Sequence, residues 1–219
     1  MTALLEFWWR SLPQLLSGLA VSLEVTGIAL AVGIPLGLGL ALAVQSRRAA
    51  VRYPALAFVE IGRGAPALIL LQFAYFGLPS AGISLSSLAA ASLALAWTTS
   101  AYTSEIIRAG LQAVPRGQVE AATAVGMTQL DSLRFVVVPQ AMRIAAPALL
   151  GFSILMLQAS SLCFAIALPE LLSQAYMIGT TTFRYLPILC LAGLLYAAIC
   201  IPATFAVAAL EKRLGRHAA

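Results

Sequence analysis

Lysine and histidine occur once each in these 219 residues, as Lys212 and His217, both near the C-terminus. A nucleotide-binding P-loop sets a Lys beside a glycine-rich turn to reach phosphates, so the chain carries no such site. A Ser-His-Asp hydrolase or a His-ligated zinc protease needs a positioned His, and these are excluded on the same ground. The three cysteines, Cys163, Cys190 and Cys200, lack the paired spacing of a metal site or a disulfide framework and read as small core residues. Charge is scarce at 10% of the chain, and its Lys and Arg stand singly or in pairs, without the aromatic-interleaved basic stripe of a nucleic-acid binder. A cleavable signal pattern is also missing, because Glu6 and the Trp8-Trp9 pair interrupt any apolar run before Leu12.

What the chain has instead is hydrocarbon. It is 61% hydrophobic, with a mean hydropathy of +0.95, which lies outside the balance of a soluble domain. A bilayer core about 30 Å thick needs roughly 20 apolar helical residues per crossing. Five runs meet this need, at 16–44, 56–77, 85–107, 144–168 and 186–210. The sequence therefore predicts an all-α membrane protein of five transmembrane helices. Residues 1–15 read as an interfacial segment with its aromatic rings at headgroup level, 16–210 as the transmembrane domain, and 211–219 as a cytoplasmic tail. Arg47, Arg48, Arg52, Arg108, Arg116, Arg134, Arg143, Lys212, Arg213 and Arg216 fall on one side, against Arg10 and Arg184 on the other. The positive-inside bias places the N-terminus outside and the C-terminus in the cytoplasm.

Polar residues inside the spans are few. Gly33 and Gly37 lie four apart in the first span, a spacing that lets another backbone approach one helix face, and Pro35 between them is tolerated within a bundle. Glu60 and Arg63 form a pair near the cytoplasmic end of the second, where Gly62, Gly64 and Pro66 predict a local break. The third ends in a hydroxyl-rich stretch from Thr98 to Ser104, followed by Glu105, placed to pair with Arg108. Such a helix does not face lipid all round. Ionisable groups at this depth serve as ion pairs or as a gate.

Residues 109–143 break the pattern, because more than thirty residues pass without a span. Residues 118–125 read as a short helix with Glu120 in its first turn and Gly126 in a left-handed cap. A second helix at 128–137 takes Thr128 as N-cap with Asp131 three residues on. Leu130, Leu133, Phe135 and Val136 on it require burial, against a partner's groove or against the chain's own spans.

Glu120-Ala121-Ala122, then Gly126, then Val136-x-Val138-Pro139, resemble the EAA loop of bacterial ABC importer permeases, where the usual ending is Ile-x-Leu-Pro. The stretch from Ala101 to Gly110, Arg116-Gly117-Gln118 and Arg63-Gly64-Ala65-Pro66 are similar to signatures of the polar amino acid branch, the last usually having Thr before Pro. The resemblance covers about 17–214. It implies a type I importer permease fold in the bacterial inner membrane, with a coupling helix that fits a cleft in a cytoplasmic ATPase. It also implies the partners: an ATPase dimer, a second permease subunit of the same or a homologous kind, and an extracytoplasmic solute-binding protein. ATP and Mg would bind the ATPase, leaving this chain without cofactor or catalysis. Glu120, Ala121, Ala122, Gly126 and Pro139 are the expected coupling residues. Many relatives carry Asn-Glu where this chain has Gly151-Phe152, and Lys or His where it has Gln158. Gln158-x-Ser160-Ser161-Leu162 with Pro139-Gln140-Ala141 looks closest to permeases of acidic amino acids. Gln158, Ser160 and Ser161, with Glu24 of the first span, are the candidate substrate contacts.

The competing reading is a stand-alone secondary carrier or channel, but five spans do not divide into the two equal halves of an internal repeat. An intramembrane enzyme using Glu60 or Glu105 lacks an evident nucleophile or metal partner.

Overall fold

The computed structural model describes residues 2–215; Arg216 and His217 of the expected tail lie outside them. All of the regular structure described is helical. Helix α1, Thr2–Val44, runs without interruption through the expected interfacial segment and through Pro13 and Pro35. At 1.5 Å per residue its 43 residues extend about 65 Å, well beyond the hydrocarbon layer. Its buried positions, Ser11, Leu15, Gly18, Leu19, Ser22, Val25, Thr26, Ala29, Gly33, Gly37 and Ala41, fall at helical spacing and form a single stripe.

That stripe packs chiefly on α4, Ser87–Ala113, the hub of the bundle, which also touches α2 (Ala49–Gly64), α3 (Ala67–Gln72) and α7 (Val138–Ala159). Ser86 caps α4 by accepting the Ala89 N–H at 3.2 Å. Thr98, Thr99, Ser100, Thr103 and Ser104 are all buried. Most of their hydroxyls return to their own helix, as Thr103 does to the Thr99 carbonyl at 2.7 Å. The expectation that this helix avoids lipid on several sides holds, and it explains why α4 is too polar to count as a span by hydropathy. Among the described residues, the helices long and apolar enough to cross are Ala3–Val44, Gln129–Ile166 and Tyr185–Leu214, or four crossings if a bent pair counts as one span.

Glycines set the closest crossings. A Cβ on Gly33 would lie 2.5 Å from Thr99 Cβ and Cγ2, and one on Gly37 would strike Thr103 Oγ1. Farther along α4, a Cβ on Gly110 would lie 2.7 Å from the Ala141 carbonyl of α7. Small residues here let backbones meet where lipid gives no hydrophobic drive for helix association.

The bent pair is α2, Ala49–Gly64, with α3, Ala67–Gln72, which continues through a π turn, Phe73–Gly77, and a 3₁₀ turn, Leu78–Ala81. The two halves meet at 105°. Pro66 forces its predecessor out of the helical region, and Ala65 accordingly sits at φ −81°, ψ 134°. The break expected at Gly62 to Pro66 is thus a sharp corner within the span read as 56–77.

On the far side of α4 the structure departs from the sequence reading. The helix expected to end at Val137 does not end: α6, Gln129–Asp131, passes through a π turn, Ser132–Val137, into α7, Val138–Ala159, and a 3₁₀ turn, Ser160–Ile166. Pro139 occupies the start of α7; it lacks an N–H, and the helix passes it after a wide π turn in which the Val138 N–H reaches back to the Leu133 carbonyl. An unexpected helix, α8, Leu171–Thr182, then packs on α1 and on α9, Tyr185–Gly215.

Candidate functional site

The segment between α4 and α7 forms a compact knob. Helix α5, Arg116–Ala124, ends where Gly126 takes φ +82°. Met127 N–H reaches the Ala122 carbonyl and Gly126 N–H the Thr123 carbonyl, both at 3.0 Å. Together these are the two bonds of a Schellman cap, and the left-handed backbone they need suits glycine. Thr128 then caps the next turn by accepting the Asp131 N–H at 3.2 Å, while its hydroxyl donates to Asp131 Oδ2 at 2.6 Å. The carboxylate therefore takes the Thr hydroxyl rather than the Thr128 N–H of a full capping box.

Ala122 is the buried residue of α5, which rests on the Ser132–Val137 turn. Gln140 Nε2 donates to Gln118 Oε1 at 3.1 Å and ties α5 to α7. Glu120, Ala121, Gly126 and Pro139 face outward. So do Val125, Leu130 and Phe135, which are 78%, 71% and 62% exposed. Of the two ways to bury the knob's apolar side chains, the chain's own spans do not supply the cover for these three.

Glu60, Arg63, Glu105 and Arg108 come together as one network. Arg108 Nη2 lies 2.5 Å from Glu105 Oε2, within α4. Arg63 Nη1 of α2 lies 3.8 Å from Glu60 and 3.9 Å from Glu105. The two pairs read separately from sequence are thus joined across α2 and α4, directly before the Ala65-Pro66 corner. Tyr102 of α4 adds a bond from its hydroxyl to the Arg63 carbonyl at 3.3 Å.

The candidate substrate contacts divide. Gln158 is exposed near the end of α7, and the half-buried Ser161 donates to its carbonyl at 2.8 Å. Ser160 is fully buried and donates to the Leu157 carbonyl at 2.6 Å. Glu24 is exposed on α1, and among the described residues no hydrogen bond or ion pair joins it to the other three. Gln158 and Ser161 are thus open to the surface at the end of α7, Ser160 is turned into the fold, and Glu24 stands apart.

One polar centre was not anticipated. Glu170, fully buried, accepts the Leu172 and Ser173 N–H groups of α8 at 2.8 and 2.7 Å and the Tyr196 hydroxyl of α9 at 3.3 Å. Ser22 of α1 completes the junction by accepting the Leu171 N–H at 3.2 Å. The available signal was a Glu just before a short apolar run, where a helix N-cap belongs.

Residues 33–216 match the family described as binding-protein-dependent transport system inner membrane component. The chain belongs to this family. It is 35% identical over 208 residues to a probable amino-acid ABC transporter permease protein, YckA, of Bacillus subtilis, covering 95% of this chain and 92% of the relative. It is also 35% identical to the glutamate/aspartate import permease protein GltK of Escherichia coli O157:H7, covering 95% and 98%. The crystal structure of an amino acid ABC transporter with histidines superposes with a TM-score of 0.86 at 35% identity, covering 93% of this chain and 95% of that one.

As an inner-membrane permease of this family, the chain is a multi-pass, non-catalytic subunit. Its polar groups act by hydrogen bonding and charge pairing. The knob, the ion-pair network and the Gln158 to Ser161 segment lie at successive stations along the two helices that leave the knob, α4 and α7.

Proposed function

We propose that this permease conducts a polar amino acid through an ATP-driven importer, crossing the membrane five times with its N-terminus outside. The five crossings are α1, the bent α2–α3 pair, α4, α7 and α9, and the arginine distribution supports the orientation. The first turns of α1 lie at the outer interface, and α9 ends in the cytoplasm. On this reading, the knob within 109–143 docks in a cleft of a cytoplasmic ATPase dimer, which holds ATP and Mg. Glu120, Ala121, Ala122, Gly126 and Pro139 form its coupling surface. The observation that carries the assignment is the apolar trio Val125, Leu130 and Phe135, left open on a rigidly capped elbow. Because Gln129–Ile166 is one continuous helical rod, a push on the elbow tilts α7 directly, and the Gly110 contact carries the tilt to α4.

A second permease subunit, the same or homologous, completes the pathway, and an extracytoplasmic binding protein delivers the solute. Gln158 and Ser161 contact it, with buried Ser160 holding their turn through the Leu157 carbonyl and Glu24 contributing from its separate face. The substrate leans to glutamate, aspartate or glutamine. Phe152, where many relatives carry Glu, stacks on Tyr102 with centroids 5.7 Å apart, and Gln158 and Ser161 offer neutral hydrogen bonds. Uptake into proteoliposomes containing permease, ATPase and binding protein tests the reading. ATP-dependent accumulation of an acidic or amide amino acid is expected; accumulation driven by an ion gradient without ATP contradicts it.

A further inference from the structure

Opposite the knob, the first turns of α1 and the turn between α8 and α9 enclose an open cavity of about 280 Å³ lined by Ala3, Glu6, Phe7, Arg10 and Arg184. The family assignment does not use these residues. Arg10 and Arg184 are the two basic residues that the charge distribution sets apart from all the cytoplasmic ones. Arg10 is paired with Glu6 at 2.6 Å. Arg184 has no carboxylate partner among the described residues; its guanidinium lies over the Phe7 ring, 4.9 Å from the centroid. The cavity therefore carries two cations against one anion, and the surplus charge has unused donors.

The surroundings identify the medium. Trp9 and Phe183, flanking the arginines, are 78% and 87% exposed, and Leu5 and Leu186 are also open. Trp8 Nε1 donates to the Pro187 carbonyl at 3.0 Å and fastens this end of α1 to α9, so both walls of the cavity are held in register. Phe183 sits at φ +58°, a left-handed conformation that a bulky side chain adopts at a cost, and which keeps its ring outside the fold. Aromatic rings with arginines at a helix end are the composition of a membrane–water interface. A phosphate beside Arg184 would place acyl chains along these open apolar side chains, whereas an acidic side chain from a soluble protein would leave them uncovered.

We infer that the cavity bounded by Phe7, Arg10 and Arg184 binds the phosphodiester headgroup of an anionic phospholipid. The guanidinium of Arg184 pairs with the phosphate, Arg10 adds charge from beside Glu6, and the tails cover Trp9, Phe183 and Leu186. The leaflet, the outer one, rests on the orientation proposed above; the site itself does not.

The test uses the assembled transporter in detergent, titrated with phosphatidylglycerol and, separately, phosphatidylcholine, with bound lipid counted by native mass spectrometry. The wild type should retain phosphatidylglycerol in preference to phosphatidylcholine. Arg10→Gln with Arg184→Gln should weaken that binding by about tenfold, while Arg10→Lys with Arg184→Lys keeps most of it and guards against misfolding of the Gln variant. Equal lipid retention in wild type and Gln variant overturns the assignment. So does displacement of the lipid by millimolar inorganic phosphate, which would make the ligand a free anion. A loss of affinity for the binding protein with unchanged lipid retention overturns it in favour of a protein contact. Failure of amino acid uptake would sink the proposed substrate but leave this lipid count unaffected.

Discussion

Arg63 of α2 lies 3.9 Å from Glu105 of α4 and converts two intrahelical ion pairs into a single network beside the corner at Pro66. Partly exposed pairs at this distance contribute modestly. In a double-mutant cycle of Arg63→Gln and Glu105→Gln, thermal unfolding should report a coupling of about 0.5–1 kcal/mol. Additive single effects would mean that the two side chains do not interact.

The glycine seam between α1 and α4 predicts a contrast. Gly33→Ala would force a Cβ to within 2.5 Å of Thr99, and the overpacking should destabilise the permease by about 1–3 kcal/mol. Thr99→Ala in the same chain should restore only part of this, because the Thr99 Cβ clash remains. Gly39→Ala meets nothing within 4 Å and should leave the melting temperature unchanged or slightly raised. Equal effects at Gly33 and Gly39 would remove the seam from the account.

Glu170 satisfies two N–H groups of α8 and the Tyr196 hydroxyl from a fully buried position. Glu170→Ala should cost about 1–3 kcal/mol, and Glu170→Gln less, since its amide oxygen still accepts. Hydrogen exchange should accelerate first in α8, whose opening bonds are the ones lost. Unaltered exchange in α8 would show that Glu170 does not anchor it.

The coupling role proposed for the elbow predicts separation of hydrolysis from transport. Glu120→Lys places a cation where α5 presents its exposed acid, and Gly126→Pro removes a residue at φ +82° together with its N–H bond to Thr123. Both variants should insert normally yet lose most uptake while the partner's ATP hydrolysis continues. Undiminished uptake in both variants would contradict the role given to the elbow.

Much of this was legible where the determinants are local. Gly126 and Thr128 announce their caps because the left-handed turn and the side-chain acceptor are properties of single residues, and Pro66 announces a break because it constrains its own neighbour. The angle of that break was not legible, since it depends on how α3 packs against α4. The stretch from Gln129 to Ile166 reads from sequence as a helix at 128–137 and a span at 144–168, whereas the structure carries one helix past Pro139 through a π turn that has no sequence signature. Helix α8 was missed because its twelve residues mix hydroxyls with apolar side chains and fall short of a span. Glu170 went with it: Tyr196, whose hydroxyl it accepts, is distant in sequence, as is Ser22, which accepts the Leu171 N–H beside it. In the same way, the link from Arg63 to Glu105 arises only when α2 lies against α4.

The central claim is that a separate ATPase grips the elbow between α5 and α7. A photoreactive benzoylphenylalanine in place of Leu130, in the assembled transporter, measures this directly, with the same residue in place of Leu186 as the control at the opposite end. The account predicts an adduct between the permease and the ATPase from Leu130 and none from Leu186. An ATPase adduct from Leu186, or a Leu130 probe that captures only the permease itself, would contradict it.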